Sequence, residues 1–124
     1  MALAEKLVQK LETELHGFEK VVTITSFDLQ ILTALRDINS QFKRGLLVEL
    51  PIGATAIELA HQYGCGHIGW HDQLATDEMI QLSHQAGLNI SVWTVNDVER
   101  AKRLRDLEIQ GLITDIPTTM LQAL

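Results

Sequence analysis

The stretch SVWTVNDVERAKRLRDLEIQGLITD, Ser91–Asp115, reads as strand, helix, strand. Asn89–Val95 is rich in β-branched and apolar residues and predicts a strand. Asn96 stands where it can cap the next helix, with Glu99 in the N3 place of a capping box. Gly111–Asp115 predicts a second strand. Two strands joined by a helix run parallel, because the crossover returns the chain to the same end of the sheet. Trp93 and Asp115 then lie at the C-terminal strand ends, where α/β enzymes place their working side chains.

Outward from this unit the pattern repeats. Leu3, Leu7, Val8, Leu11 and Leu15 recur at helical spacing in MALAEKLVQKLETEL. Val21–Ser26 is strand-like, and DLQILTALRDI that follows is helical. GLLVEL (Gly45–Leu50) predicts a strand, and ATAIELAHQYG a helix stopped by Gly64. HIGW (His67–Trp70) is a short strand, followed by a helix opened by Thr76 and closed by Gly87. TTMLQAL is a closing helix. The strands recur about every 21–25 residues, one βα unit at a time. Residues 1–124 form one domain, with no linker or low-complexity segment. Five such units fit a flavodoxin-like doubly wound sheet, and they fit equally five-eighths of a (β/α)₈ barrel. Periodicity does not separate the two, and a whole barrel takes roughly 250 residues.

The composition, 46% hydrophobic and 21% charged, is that of a soluble globular domain. A net charge of −6 argues against nucleic acid or an anionic membrane as partner. No apolar run approaches the roughly 18 residues of a membrane span. One cysteine, Cys65, allows no internal disulfide, and the N-terminal helix is unlike a secretion signal, so a cytoplasmic setting is expected. The missing Gly-x-Gly-x-x-Gly and Walker loops remove dinucleotide and nucleotide triphosphate binding.

Val92-Trp93-Thr94-Val95-Asn96, followed by Gly111-Leu112-Ile113-Thr114-Asp115 and Pro117, resembles the C-terminal signature of the glycerophosphodiester phosphodiesterases. Upstream, ITSFDLQILTALR resembles that family's S-S-F-D strand end, with Thr25 in place of the first Ser. RGLLVEL and GCGHIGWHDQLATDEMIQLSHQAGL match the next two units in spacing and character, so the resemblance spans about residues 6–121. It implies a (β/α)₈ barrel that hydrolyses glycerophosphodiesters to an alcohol and glycerol 3-phosphate. It also implies a divalent metal, Mg²⁺ or Ca²⁺, to polarise the phosphoryl oxygens while a His moves the proton. The family's H-R-G turn, E-x-D strand with its H-D, and E-x-K strand do not occur here. The chain is therefore expected to hold strands four to eight and to be inactive alone. One departure is Glu108, where the family has Gly. If that position is left-handed, Glu108 carries strain a glycine would not.

The resemblance makes Trp93 a wall against the glycerol moiety, and places Ser26 and Phe27 at the pocket floor. His71 lies at the mouth, as a phosphate contact or a solvated loop residue. The dipeptide His71-Asp72 follows the wrong strand to be the family's catalytic pair. Asp115 and Thr114 could present a carboxylate to a metal or a hydroxyl to phosphate; the favoured reading is that Asp115 caps the last helix or pins the turn at Pro117. Glu49 reaches a site or pairs with a neighbouring cation, with no chemistry assigned. His61, Cys65, His67 and His71 do not make a zinc site, because His67 and His71 bracket a strand and stand about 13 Å apart. No catalytic or metal-ligating residue is expected in this chain. Three missing strands would leave open edges and an apolar interior rich in Val, Ile and Leu. A homo-oligomer, or association with the missing barrel part, is expected. The rival reading is a non-catalytic, self-associating α/β module.

Overall fold

The computed structural model describes residues 3–124; Met1 and Ala2, part of the expected N-terminal helix, lie outside the described residues. Among the described residues five strands form one sheet: β1 (Thr23–Ser26), β2 (Lys43–Val48), β3 (His67–His71), β4 (Asn89–Trp93) and β5 (Gly111–Leu112). Their order is β1-β2-β3-β4-β5, and each neighbouring pair is parallel. Every crossover therefore steps one strand in the same direction, and right-handed crossovers of that kind lay all their helices on one face. A doubly wound sheet needs a reversal of strand order. The flavodoxin-like alternative is thereby excluded, and the fold is that of five consecutive units of a (β/α)₈ barrel.

The crossovers are α2 (Leu29–Asp37), α3 (Thr55–Gln62), α4 (Asp77–Gln85) and α5 (Val98–Asp106). Helix α1 (Leu3–Glu14) precedes β1, α6 (Pro117–Ala123) follows β5, and a 3-10 turn spans Asp72–Leu74. Among the described residues no helix is long and apolar enough to cross a membrane.

The four crossover helices α2 to α5 all end the same way on the path to the next strand. The residues just past the caps, Asn39, Gly64, Gly87 and Glu108, have φ of 53°, 71°, 77° and 63°. The next amide in each link reaches back to the helix: Ser40 N–H to Leu35 O (3.0 Å), Cys65 to Ala60 (2.8 Å), Leu88 to Ser83 (3.1 Å), Ile109 to Leu104 (3.5 Å). This is a Schellman closure repeated in register with the βα unit. The longest bond belongs to the link where Glu108 occupies the left-handed position, which glycine adopts without steric cost.

Several expected boundaries change: β1 begins at Thr23 instead of Val21, and β4 ends at Trp93 instead of Val95. Strand β2 begins at Lys43 and ends at Val48, so Glu49 lies just beyond it. Strand β5 has two residues instead of five, although Ile113 N–H still reaches Val92 O (3.0 Å) and Val95 N–H reaches Ile113 O (2.8 Å). The cap of α5 also changes. Asp97, in extended conformation, accepts from Arg100 N–H, so Arg100 takes the N3 place and there is no capping box. Asn96 is one residue outside the helix and is used elsewhere.

Strand alternation sorts the side chains. Leu46, Val48, Ile68, Trp70, Ile90 and Val92 are buried beneath the helices with Leu32, Leu35, Ile57, Ile80 and Leu104. The other face follows the register in rows: Thr25, Gly45, His67 and Asn89; then Leu47, Gly69, Ser91 and Gly111; then His71 and Trp93. Most of these residues are small or polar. The expected apolar interior rich in Val, Ile and Leu is therefore corrected: those residues face the helices, where two-layer burial needs them. Helix α1 shows a similar shift. It buries Ala4 and Val8, while Leu3 is 83% and Leu7 42% exposed.

Candidate functional site

The C-terminal ends of β1, β3 and β4 bring three of the four candidate residues together. Trp93 ends β4 on the face turned away from the helices. Its indole lies over Gly69 and donates Nε1–H to the Gly69 carbonyl at 3.1 Å. Gly69 leaves that space open. A Cβ there would come within 2.7 Å of Leu47 Cδ2, 3.2 Å of Ser91 Oγ and 3.7 Å of Trp93 Cδ1. A glycine inside a strand often marks such a close approach, and HIGW carries that signal in the sequence.

Phe27 meets the Trp93 ring edge to face, with centroids 5.5 Å apart and planes at 82°. β1 and β4 are three strand steps apart, about 14 Å in a flat sheet. The contact forms because the sheet curls, as barrel strands must, and because both side chains are long. His71 packs on Trp93 in the same manner, at 4.8 Å and 83°. Its Nδ1 accepts from Gln73 N–H at 3.1 Å. The neutral imidazole then carries its proton on Nε2, which is left as a donor.

Ser26 stands apart. It pairs with Leu46 in the register, which puts it on the helix side. Its Oγ accepts from Asp28 N–H at 2.9 Å, and Asp28 caps α2 by accepting from Gln30 N–H at 2.8 Å. Ser26 thus shapes the turn that carries Phe27.

Sequence reading missed the partners that fix the surrounding loops. Asn96 clasps the β4 and β5 ends together. Its Oδ1 accepts from Thr114 Oγ1 (3.0 Å) and Asp115 N–H (2.9 Å), and its Nδ2 donates to Asp115 Oδ2 (3.0 Å). Thr114 Oγ1 also accepts from Ile116 N–H at 3.1 Å, pinning the turn before Pro117. Asp115 does not cap α6, whose N-cap, Ile116, has no side-chain cap bond. The two signature segments are therefore joined by hydrogen bonds, which explains their shared polar residues. On the other side, Arg100 Nε donates to Asp72 Oδ1 at 2.8 Å and its Nη2 to Ala75 O at 2.8 Å. That bridge ties the loop after His71 to α5. Asp72 is thus held by an arginine, the role left open when its family likeness was set aside.

The opposite end of the sheet holds His67 and Cys65. His67 Nε2 lies 2.9 Å from Ser91 Oγ, and burial holds the imidazole below its ordinary value. Burial pushes the Cys65 thiol up to about 11, against a smaller opposing pull from the Arg44 guanidinium, so it stays a protonated core residue. Among the described residues no three His, Cys, Asp or Glu side chains come together to hold a metal ion. A hard divalent cation takes six or more oxygens. At this mouth Asp72 is held by Arg100 and Asp115 by Asn96, so the residues present do not by themselves fit the Mg²⁺ or Ca²⁺ of the resemblance.

A phosphodiesterase from Oleispira antarctica, in complex with the product sn-glycerol-3-phosphate, matches with a TM-score of 0.84 at 18% identity, covering 98% of this chain and 50% of its own. A glycerophosphodiester phosphodiesterase from Thermotoga maritima matches at 0.71 and 21%, covering 92% and 52%. One from Agrobacterium tumefaciens matches at 0.72 and 18%, covering 99% and 52%. The chain thus spans about half the length of these relatives. No curated protein matches it. Residues 2–119 match the Glycerophosphoryl diester phosphodiesterase family over nearly the whole sequence, and the chain belongs to that family.

Proposed function

We propose that this chain supplies the substrate-facing wall of a glycerophosphodiester phosphodiesterase pocket. The glycerol moiety packs on Trp93 and Phe27, and the phosphate accepts from His71 Nε2–H. Ser26 contributes through the turn that carries Phe27. The observation that carries this reading is the assembly of Trp93, Phe27 and His71 at the C-terminal strand ends, where barrel enzymes bind their substrates. Such a wall holds substrate and transition state alike, and so contributes affinity more than rate. The reaction itself, water displacing an alcohol from phosphorus to leave glycerol 3-phosphate, needs charge stabilisation and proton transfer from groups elsewhere in a whole barrel. The chain alone is expected to bind glycerol 3-phosphate weakly and to hydrolyse nothing.

Titration with glycerol 3-phosphate tests the wall. Perturbation of Trp93 and His71 resonances is expected, and its loss in Trp93→Ala; no response in the wild-type chain would overturn the reading. Metal-dependent release of glycerol 3-phosphate from glycerophosphocholine by the pure chain would overturn its inactivity.

The partner follows from the sheet. Among the described residues, β1 and β5 each have a neighbour on one side only. Unpaired edges favour association with a second copy or with the remaining strands of a barrel. Sedimentation at micromolar concentration should show a species larger than a monomer; a stable monomer refutes the homo-oligomer.

A further inference from the structure

A groove of about 570 Å³ lies between α1 and α2, on the helix side of the sheet and away from the Trp93 face. Its volume falls within the roughly 300–1,000 Å³ of small-molecule sites. Ala4, Val8, Leu29 and Ala34 line it, and Tyr63, the C-cap residue of α3, shares the lining. Alanine at positions 4 and 34 leaves the space open, since neither side chain reaches beyond its Cβ. Among the described residues the one polar side-chain contact between α1 and the α2–β2 segment is Ser40 Oγ–H to Glu12 Oε1, near the C-terminal end of α1. The first turns of α1 therefore rest on α2 through packing alone, and the groove stays open beside them.

The charges in the groove are of one sign. Glu5 and Asp37 are among its lining residues, and no Lys, Arg or His is. Helix α1 leads into β1 and α2 into β2, and these strands are parallel, so the two helices run the same way. Glu5 stands in the first turn of α1 and Asp37 in the last turn of α2, so the carboxylates lie toward opposite ends. From Gln30 to Asp37 the α2 wall is about 10 Å long. Asp37 is paired with Arg36 at 3.4 Å, whereas among the described residues Glu5 has no such partner. The groove thus offers an elongated apolar floor with an unneutralised carboxylate at one end. An anionic amphiphile is repelled there, and a neutral one leaves Glu5 unused. The net charge of −6 favours a cation in the same sense.

We propose that this groove binds an aliphatic primary ammonium ion, with the tail along the trough and the head at Glu5. The site is separate from the aromatic wall, and its occupancy does not depend on that reading.

The test is a calorimetric titration of the whole chain with butyl-, hexyl- and octylammonium, with amide shifts to locate the ligand. The amides of Val8, Ala34 and Tyr63 should move. Affinity should rise roughly twofold to fourfold with each methylene that the trough covers. Hexan-1-ol should bind roughly twofold to fivefold more weakly than hexylammonium, and hexanoate more weakly still. Glu5→Gln, at an exposed position, should remove the difference between the amine and the alcohol. Gln9→Trp, also at an exposed position, lays an indole into the trough and should abolish binding of all three amines. No shift at these amides, affinity independent of tail length, or equal binding of hexylammonium and hexan-1-ol would overturn the site. So would an amine preference that survives Glu5→Gln.

Discussion

Trp70 and Trp93 lie in adjacent register rows on neighbouring strands, since Trp70 pairs with Val92 and His71 with Trp93. Trp70 faces the helices. It is 1% exposed, and its Nε1–H is taken up by Ser83 Oγ at 3.0 Å, which donates in turn to Met79 O at 2.7 Å. Trp93 faces the other way, half-buried over Gly69 and edged by Phe27 and His71. One step of strand parity turns the same residue type from a sealed core element into an accessible aromatic surface. The helix-covered face carries the stability, and that leaves the other face free to bind.

Trp70→Ala should break the first half of this contrast most severely, costing about 3–5 kcal/mol in denaturant unfolding through the cavity it leaves. Ser83→Ala orphans the buried indole N–H and should cost roughly 1–3 kcal/mol by the same measurement. Trp93→Ala should cost only about 1–2 kcal/mol, since the ring is half-buried, while removing the glycerol 3-phosphate response. A loss equal to that of Trp70→Ala would erase the distinction between the faces. Glu108→Gly relieves a left-handed glutamate and should gain roughly 0.5–1 kcal/mol, visible as a higher melting temperature.

The last contrast is in pH. Burial holds His67 below the ordinary 6.5 in the folded chain. Below that value the unfolded chain takes up a proton that the folded one resists. The stability from neutral His67 is thus complete above 6.5 and is lost as pH falls through the lower folded value. Melting curves of wild type and His67→Gln between pH 8 and 5 should converge on the acid side. Parallel curves would show that the His67–Ser91 contact does not titrate.

Much of the fold was legible because its signals are local. Gly64 and Gly87 marked their helix ends, Thr76 marked a cap, and the 21–25 residue spacing marked the βα unit. Strand order was not legible, because the same crossovers serve a sheet that reverses and one that does not. The direction of the strand side chains was also misjudged. A strand such as GLLVEL is apolar enough to face either way, and only pairing with Thr25, His67 and Gly69 shows that its Gly45 and Leu47 look away from the helices. Trp93 and Phe27 were found through motif likeness and His71 through its place at a strand end, but their contact depends on sheet curvature, which no short window encodes. Asn96 was misread because its neighbour Asp97 is an equally good cap, and the freed amide bonds to residues almost twenty positions later.

The sequential strand order also bears on how the chain finds its structure. Each strand pairs with the next one along the chain, so every closure in the sheet spans a single helix and its loops. Chain entropy grows slowly with loop length but must be spent before a contact repays it. Here no pairing has to wait for a distant segment, and the mean separation of contacts in sequence stays low for a parallel sheet. Such a chain can nucleate at any one βα pair and extend strand by strand, as stacked repeats do. The pair β3–β4 has the longest register, five residues, with the buried Trp70 among them. Refolding should therefore be faster than in sheets of the same size whose strand order reverses, and Trp70 fluorescence should rise with the first phase.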